Sequence, residues 1–88
     1  MTDFERNARY SFNEKLAYLQ QSHDSQHLQT MSYGGYDVIM LSGLGKGLRF
    51  FFYKDGQLIK MRDKGWKDNI RQYARTYIDQ VLNAREEE

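Results

Sequence analysis

The sequence predicts a small α+β domain in the order α-β-β-β-α, with two helices packed on one face of a three-stranded antiparallel meander. Three observations support this: helical spacing of apolar residues near both ends, short apolar runs separated by glycines in the middle, and an Asp55-Gly56 pair between two of these runs. With 88 residues, 40% of them hydrophobic and 28% charged, we expect a single domain over 1–88 with one modest core.

The first helix is predicted over residues 4–21. Five apolar residues recur every four or three positions and share one side of it: Phe4, Ala8, Phe12, Leu16 and Leu19. Two capping boxes compete for its start, Thr2 with Glu5 and Ser11 with Glu14, since each pair would satisfy the first free backbone N–H groups.

The middle of the chain is predicted to hold a polar loop over 22–35 and then three strands, at about 36–41, 48–53 and 57–62. Asp55-Gly56 tolerates the positive φ angles of a type I′ turn, so the last two strands form a hairpin. A two-residue turn sets Phe52 opposite Ile59, Phe50 opposite Met61 and Arg49 opposite Arg62.

This register predicts which side chains share each face of the hairpin. The core face holds Phe50, Phe52, Ile59 and Met61. The other face mixes rings and cations, and we expect it to be exposed: Arg49, Phe51, Tyr53, Leu58, Lys60 and Arg62. Arg49 opposite Arg62 is a like-charge pair that costs stability unless an anion lies over it.

The last helix is predicted over residues 66–85, with an apolar side that begins at Trp66 and ends at Leu82. Lys67, Arg71 and Arg75 repeat every four residues beside that side. Lysines at the start of a helix add to its positive dipole end, which favours bound anions.

Charge is unevenly distributed along the chain. Thirteen Lys and Arg nearly balance twelve Asp and Glu, but residues 46–75 hold nine cations and three carboxylates, a net charge of +6. Cations among aromatic rings are typical of surfaces that bind polyanions or nucleic acid. The candidate binding residues are Lys46, Arg49, Phe51, Tyr53, Lys60, Arg62, Lys64, Lys67, Arg71 and Arg75.

Two functions therefore remain open at the level of sequence. The first is a non-enzymatic module that binds nucleic acid, in which Phe51 and Tyr53 stack on bases while the cations contact phosphates. The second is a protein-interaction module, a homodimer or a regulator of a larger protein, in which the patch of Phe51, Tyr53 and Leu58 is covered by a partner.

Other classes lack the residues that they need. The glycines of 43–47 lead into a strand rather than a helix, so they are not a phosphate loop. His23 and His27, with Asp24 nearby, fall short of a metal site, and there is no nucleophile elbow and no Cys. We expect no enzyme, cofactor or metal, and a cytoplasmic protein with no membrane span.

The order of elements resembles the double-stranded RNA-binding domain in topology over roughly Ser11 to Leu82. Tyr36 opens the first predicted strand, Ser42-Gly43 closes it, and basic residues lie near the start of the last helix, as in that family. Lys64, Lys67 and Arg71 match its lysine cluster loosely, and glycines replace its basic loop motif. The resemblance implies a nucleic-acid ligand but assigns no contacts to these positions.

Overall fold

A computed structural model of the protein describes residues 2–22, 27–42, 47–64 and 69–83. The elements are α1 (Asp3–Ala8), α2 (Phe12–Ser22), β1 (Leu28–Tyr33), β2 (Tyr36–Leu41), β3 (Leu48–Lys54), β4 (Gln57–Lys64) and α3 (Ile70–Tyr77), which continues as a π-helical segment (Ile78–Leu82). The strands form one antiparallel sheet in the order β1-β2-β3-β4. The α+β class is confirmed, whereas the prediction of three strands is wrong.

The N-terminal region forms two helices because both capping boxes are used. The backbone N–H of Glu5 donates to the Thr2 hydroxyl at 3.1 Å, and that of Glu14 donates to the Ser11 hydroxyl at 3.3 Å. Each glutamate accepts the N–H of its cap in return. An N-cap residue has non-helical backbone angles, so Ser11 interrupts the predicted helix 4–21 and starts a second one.

The strand missing from the prediction is β1, which falls in the expected polar loop. It pairs with β2 over six residues, and Gly34-Gly35 closes the hairpin with φ angles of 60° and 88°. As an edge strand with Gln29, Thr30 and Ser32 exposed, β1 lacks the apolar run that marks a buried strand.

The hairpin at Asp55-Gly56 is confirmed, with φ angles of 54° and 83°, but its register differs from the prediction. Tyr53 faces Leu58 as expected, and then Phe52 faces Lys60, so Ile59 is an extra residue in a β-bulge. Beyond the bulge every partner shifts by one position. Arg49 consequently faces Asp63, and the predicted pairing with Arg62 is wrong.

The helices lie on opposite faces of the sheet, so the expectation of two helices on one face is also wrong. On the α3 side, ten buried residues form one core: Tyr36, Val38, Met40, Leu48, Phe50, Phe52, Ala74, Tyr77, Ile78 and Leu82. On the α2 side, six form another: Leu19, Ile39, Leu41, Phe51, Tyr53 and Leu58. The run of four aromatic residues in β3 is explained by burial on both faces.

Within the described residues the C-terminal helix begins at Ile70, and its predicted end at Arg85 lies outside them. Asn69 is its N-cap, accepting the backbone N–H of Gln72 at 3.1 Å, and Trp66 and Lys67 lie outside the described residues. Two N-terminal helices and four strands replace the order shared with the double-stranded RNA-binding domain. Among the residues described, no helix has the length and apolarity needed to cross a membrane.

Candidate polyanion-binding face

The cations that the sequence singled out are divided between the two sides of the sheet. Strand pairing sets Lys60 beside Phe52 and Arg62 beside Phe50, and both phenylalanines belong to the α3-side core. Arg71 and Arg75 come from α3 itself. We call the surface formed by Lys54, Lys60, Arg62, Arg71 and Arg75 the basic face.

Arg62 is positioned on the β4 flank of α3 by two tyrosines. Its guanidinium carbon lies 5.4 Å from the centre of the buried Tyr77 ring. A hydrogen bond to the Tyr73 side chain is the main cause that raises the pKa of Arg62 above its ordinary value. The guanidinium is therefore held by one ring contact and one hydrogen bond while the residue stays exposed to solvent.

Lys54 belongs to the same flank although the sequence analysis did not include it. It ends β3 opposite Gln57, and its Nζ lies 5.3 Å from the centre of the Tyr36 ring in the α3-side core. Alternation along β3 already placed Lys54 on the face of Phe50 and Phe52, which is the signal that would have found it.

The other flank of α3 faces β1 and holds two arginines. Arg71 donates from Nη1 to the Thr30 carbonyl at 3.3 Å, and Arg75 donates from Nη2 to Gln72 Oε1 at 3.2 Å. Asp79 accepts the Tyr33 hydroxyl at 2.8 Å. That hydrogen bond is the main cause that raises the pKa of Tyr33, with Arg75 acting in the opposite direction.

Most of the described carboxylates lie away from the basic face. Of the described acidic side chains outside α1 and α2, Asp79 lies on the α3 side, Asp37 and Asp63 occupy strand positions that face α2, and Asp55 lies in the β3–β4 turn next to Lys54. Glu5 and Glu14 are engaged in the two capping boxes. Within the described part of the chain, the basic face therefore carries five cations against Asp79, with Asp55 in the adjoining β3–β4 turn.

Arg49 lies on the α2 side and has a carboxylate partner. Its Nε donates to Asp63 Oδ1 at 2.7 Å and its Nη2 donates to Asp63 Oδ2 at 3.0 Å. The hydrogen bond from Arg49 is the main cause that lowers the pKa of Asp63 below its ordinary value. The structure thus separates Arg49 from the other predicted cations.

Phe51 and Tyr53 are core residues, so the prediction that they lie on an exposed face is wrong. Phe51 is 2% exposed and Tyr53 0% exposed. The Phe12 ring packs edge-on against Tyr53, with 5.5 Å between ring centres. Rings enclosed in this way cannot stack on bases, and α2 covers the strand face that is predicted to be exposed to solvent.

Three further candidates have side chains outside the described residues. Lys46 and Lys67 lie outside the described residues, and so does the side chain of Lys64, although its backbone pairs with Leu48 at the end of β4. His23 and Asp24 lie outside them as well, and the described residues contain no cluster of three metal-ligating side chains.

A second unusual constellation, on the α2 side, surrounds Lys15. This residue is 7% exposed, and its Nζ lies 5.4 Å from the Phe51 ring centre, 5.5 Å from that of Tyr18 and 5.7 Å from that of Tyr10. The ammonium also donates to the side-chain oxygen of Asn7. Burial, and then repulsion from Arg49, lower the pKa of Lys15. Lys15 is not among the residues that the sequence pattern singled out.

Comparison with known proteins adds no assignment: no family model, no curated protein and no solved structure matched the chain.

Proposed function

We propose that the protein is a non-enzymatic module that binds nucleic acid, or a polyanion of similar charge density, through the basic face. The supporting observation is the segregation of charge: in the described structure the α3 side holds five cations and the carboxylate of Asp79, with Asp55 in the adjoining β3–β4 turn. The chain as a whole has a formal charge of +1, so this face is far more positive than the molecule on average. A face of this kind attracts phosphates and orients them toward α3.

The binding mode follows from which groups are accessible. Because Phe51 and Tyr53 are buried, base stacking on the strands contributes nothing, and the ligand is recognised through its backbone charges. Tyr73 is half-buried beside Arg62, and it is an aromatic residue of the basic face that retains some exposure. We therefore expect binding that tolerates changes of base sequence and weakens steeply with salt, because neutralised phosphates release counterions.

Contacts within the protein prepare two arginines for this task. Arg62 lies over the ring of Tyr77 and hydrogen-bonds to the Tyr73 side chain, and Arg71 donates to the Thr30 carbonyl. A side chain that is already ordered loses less conformational entropy on binding. An arginine also presents a planar fork of donors that matches two phosphate oxygens.

A titration with fluorescently labelled DNA and RNA, single-stranded and duplex, followed by anisotropy at several salt concentrations, tests the proposal. The double variant Lys60→Glu/Arg62→Glu reverses two charges on the basic face and is expected to abolish binding. Arg6→Glu/Arg9→Glu is the matched control, because it changes the net charge equally from exposed positions in and beside α1. Equal losses in both variants, or no binding by the unmodified protein, would refute the proposal.

A protein-interaction module is the second candidate, and the α1–α2 side favours it. Four large apolar side chains remain exposed there or on the bulge of β4, namely Phe4, Tyr10, Tyr18 and Ile59. Tyr18, which is 59% exposed, and Tyr10 flank the same buried lysine. Association through this side would resist salt and weaken in Tyr18→Ser, whereas nucleic-acid binding through the basic face would be unaffected by that change.

A further inference from the structure

The two edges of the sheet differ in how they are protected. β4 contains the bulge at Ile59, carries the charges of Lys60, Arg62 and Asp63, and has α1 lying against it. β1, with the sequence Leu-Gln-Thr-Met-Ser-Tyr, has no charge and no proline, and it pairs with β2 without a bulge. Charges, prolines, bulges and covering elements are the devices that keep edge strands from pairing. β1 lacks the first three of them.

The turn at Gly34-Gly35 determines which backbone groups of β1 point outward. Tyr33 and Tyr36 flank a two-residue turn, so their backbone N–H and C=O groups bond to each other. Hydrogen-bonded pairs alternate with non-hydrogen-bonded pairs along the two strands, and the backbone groups of every second β1 residue therefore point away from β2. These outward residues are Leu28, Thr30 and Ser32. The bond from Arg71 to the Thr30 carbonyl agrees with this assignment, and a carbonyl oxygen has a second lone pair for another donor.

We propose that a second copy of this chain pairs with the outer edge of β1, antiparallel and about a two-fold axis at Met31, to form a continuous eight-stranded sheet. Outward residues must face outward residues, so Thr30 lies opposite Ser32 of the second copy and Met31 lies opposite its own counterpart. A threonine–serine pair is favourable across strands, and an uncharged strand meets its own copy without like-charge repulsion.

Charges beside the edge complement each other in this arrangement. Arg71 lies next to Thr30, and Asp79 is bonded to Tyr33. The two-fold axis sets Gln29, the neighbour of Thr30, opposite Tyr33 of the second copy. Arg71 of each copy therefore lies near Asp79 of the other copy. An unrelated strand would lack this pairing of opposite charges, so the arrangement favours a second copy as the partner.

The dimer has a consequence that rests on the proposed function. Met31 packs against the α3-side core, and residues paired across strands project to the same face. Both α3 helices therefore lie on the same side of the extended sheet, and the two basic faces become one surface of twice the length. A longer polyanion would then bind both copies at once.

The first test uses engineered cysteines, because the natural chain has none. Met31→Cys would bring two thiols together as a non-hydrogen-bonded pair, whose Cα separation of about 4.5 Å is within disulfide range. Mild oxidation is expected to give a covalent dimer on a non-reducing gel. Gln57→Cys, on the opposite edge, is the matched control and should stay largely monomeric; equal cross-linking of the two would overturn the proposal.

The second test is sedimentation equilibrium over a range of protein concentrations, without nucleic acid. The unmodified chain is expected to form a dimer, Thr30→Lys a monomer, and Gln57→Lys a dimer, because only the first substitution places a charge on the seam. A monomeric unmodified chain, or a dimeric Thr30→Lys, would refute pairing through β1. Since no polyanion is present, these outcomes are separate from success or failure of the proposed function.

Discussion

Arg49 of β3 and Asp63 of β4 are joined side by side by two charge-assisted hydrogen bonds, of 2.7 Å and 3.0 Å. This pairing depends on the extra residue Ile59, because a regular hairpin would set Arg49 opposite Arg62. The bulge exchanges a like-charge pair for an ion pair and moves Arg62 to the α3 side. Because of this one inserted residue, Arg49 is neutralised by Asp63 on the α2 side while Arg62 belongs to the basic face.

Replacing Asp63 by Asn is expected to lower the free energy of unfolding at neutral pH by about 0.2–1 kcal/mol, the range for exposed ion pairs. The folded protein holds the pKa of Asp63 below its ordinary value of 3.8, so this stabilisation is present above that pH and disappears as pH falls through the lower, folded value. Urea denaturation at neutral and acidic pH measures the effect. Arg49→Gln, alone and combined with Asp63→Asn, completes a double-mutant cycle, and a coupling energy of zero would contradict the pairing.

Tyr53→Phe is expected to leave stability unchanged or raise it by about 1 kcal/mol. The Tyr53 hydroxyl is fully buried and has no hydrogen-bond partner among the described residues. Folding therefore costs this hydroxyl its hydrogen bonds to water without replacement, and phenylalanine does not have that cost. Burial also raises the pKa of Tyr53 to about 12. The unmodified protein should therefore lose stability between about pH 10 and 12, and the variant should lose less.

Urea denaturation of Tyr53→Phe at neutral and alkaline pH checks both statements. Tyr18→Phe is the matched control, because its hydroxyl lies on a residue that is 59% exposed. A loss of stability on Tyr53→Phe well beyond that of the control would mean that the hydroxyl has a partner.

Lys15→Met is expected to keep the fold, since methionine fills much of the space of the lysine stem, and to change the pH dependence of stability. The pKa of Lys15 is lowered in the folded state from 10.5, so the unfolded chain binds more protons just below that pH and the stability of the unmodified protein rises with pH there. The variant should lose this rise. The difference between the two urea midpoints, followed as pH is raised toward 10.5, measures it; parallel curves would contradict the assignment.

Local signals predicted much of the secondary structure. Both capping boxes, the Asp55-Gly56 turn and the apolar spacing near the ends are recognisable because each depends on neighbours within four residues. The missed strand β1 pairs with β2 across the two-residue turn Gly34-Gly35, but its exposed polar side chains conceal its periodicity. Both capping boxes start a helix in the structure, whereas the prediction of a single helix has room for only one of them.

The site was harder to predict than the fold because one residue of register moves every side chain to the opposite face. The sequence of Gln57–Lys64 gives no sign that Ile59 is an extra residue. A regular hairpin therefore predicts one common surface for Arg49, Phe51 and Lys60. The charge cluster in the sequence was nevertheless informative, since Lys60, Arg62, Arg71 and Arg75 do share one side of the sheet. The sequence predicts a cluster of cations, and the bulge determines which of these cations lie on the same side of the sheet.

Gly34→Ala is expected to cost more stability than Gly35→Ala, although both glycines have positive φ angles. An alanine in that region costs about 1–2 kcal/mol by itself. A Cβ at Gly34 would also lie 3.3 Å from the side chains of Ile78 and Asn83, whereas one at Gly35 meets nothing within 4 Å among the described residues. Thermal unfolding of the two variants measures the difference, which reports how closely the β1–β2 turn packs on the π-helical segment. Equal destabilisation would show that this packing is loose.

Arg62→Ala and Arg49→Ala form a matched pair that isolates the role of the basic face. Both remove one arginine from the same hairpin, but Arg62 lies beside Tyr73 and Tyr77 on the α3 side while Arg49 is paired with Asp63 on the other. If nucleic acid binds the basic face, Arg62→Ala should weaken affinity for all base sequences alike and reduce the slope of log affinity against log salt by about 1. Arg49→Ala should leave that slope unchanged, and a change of similar size in both variants would place the ligand elsewhere.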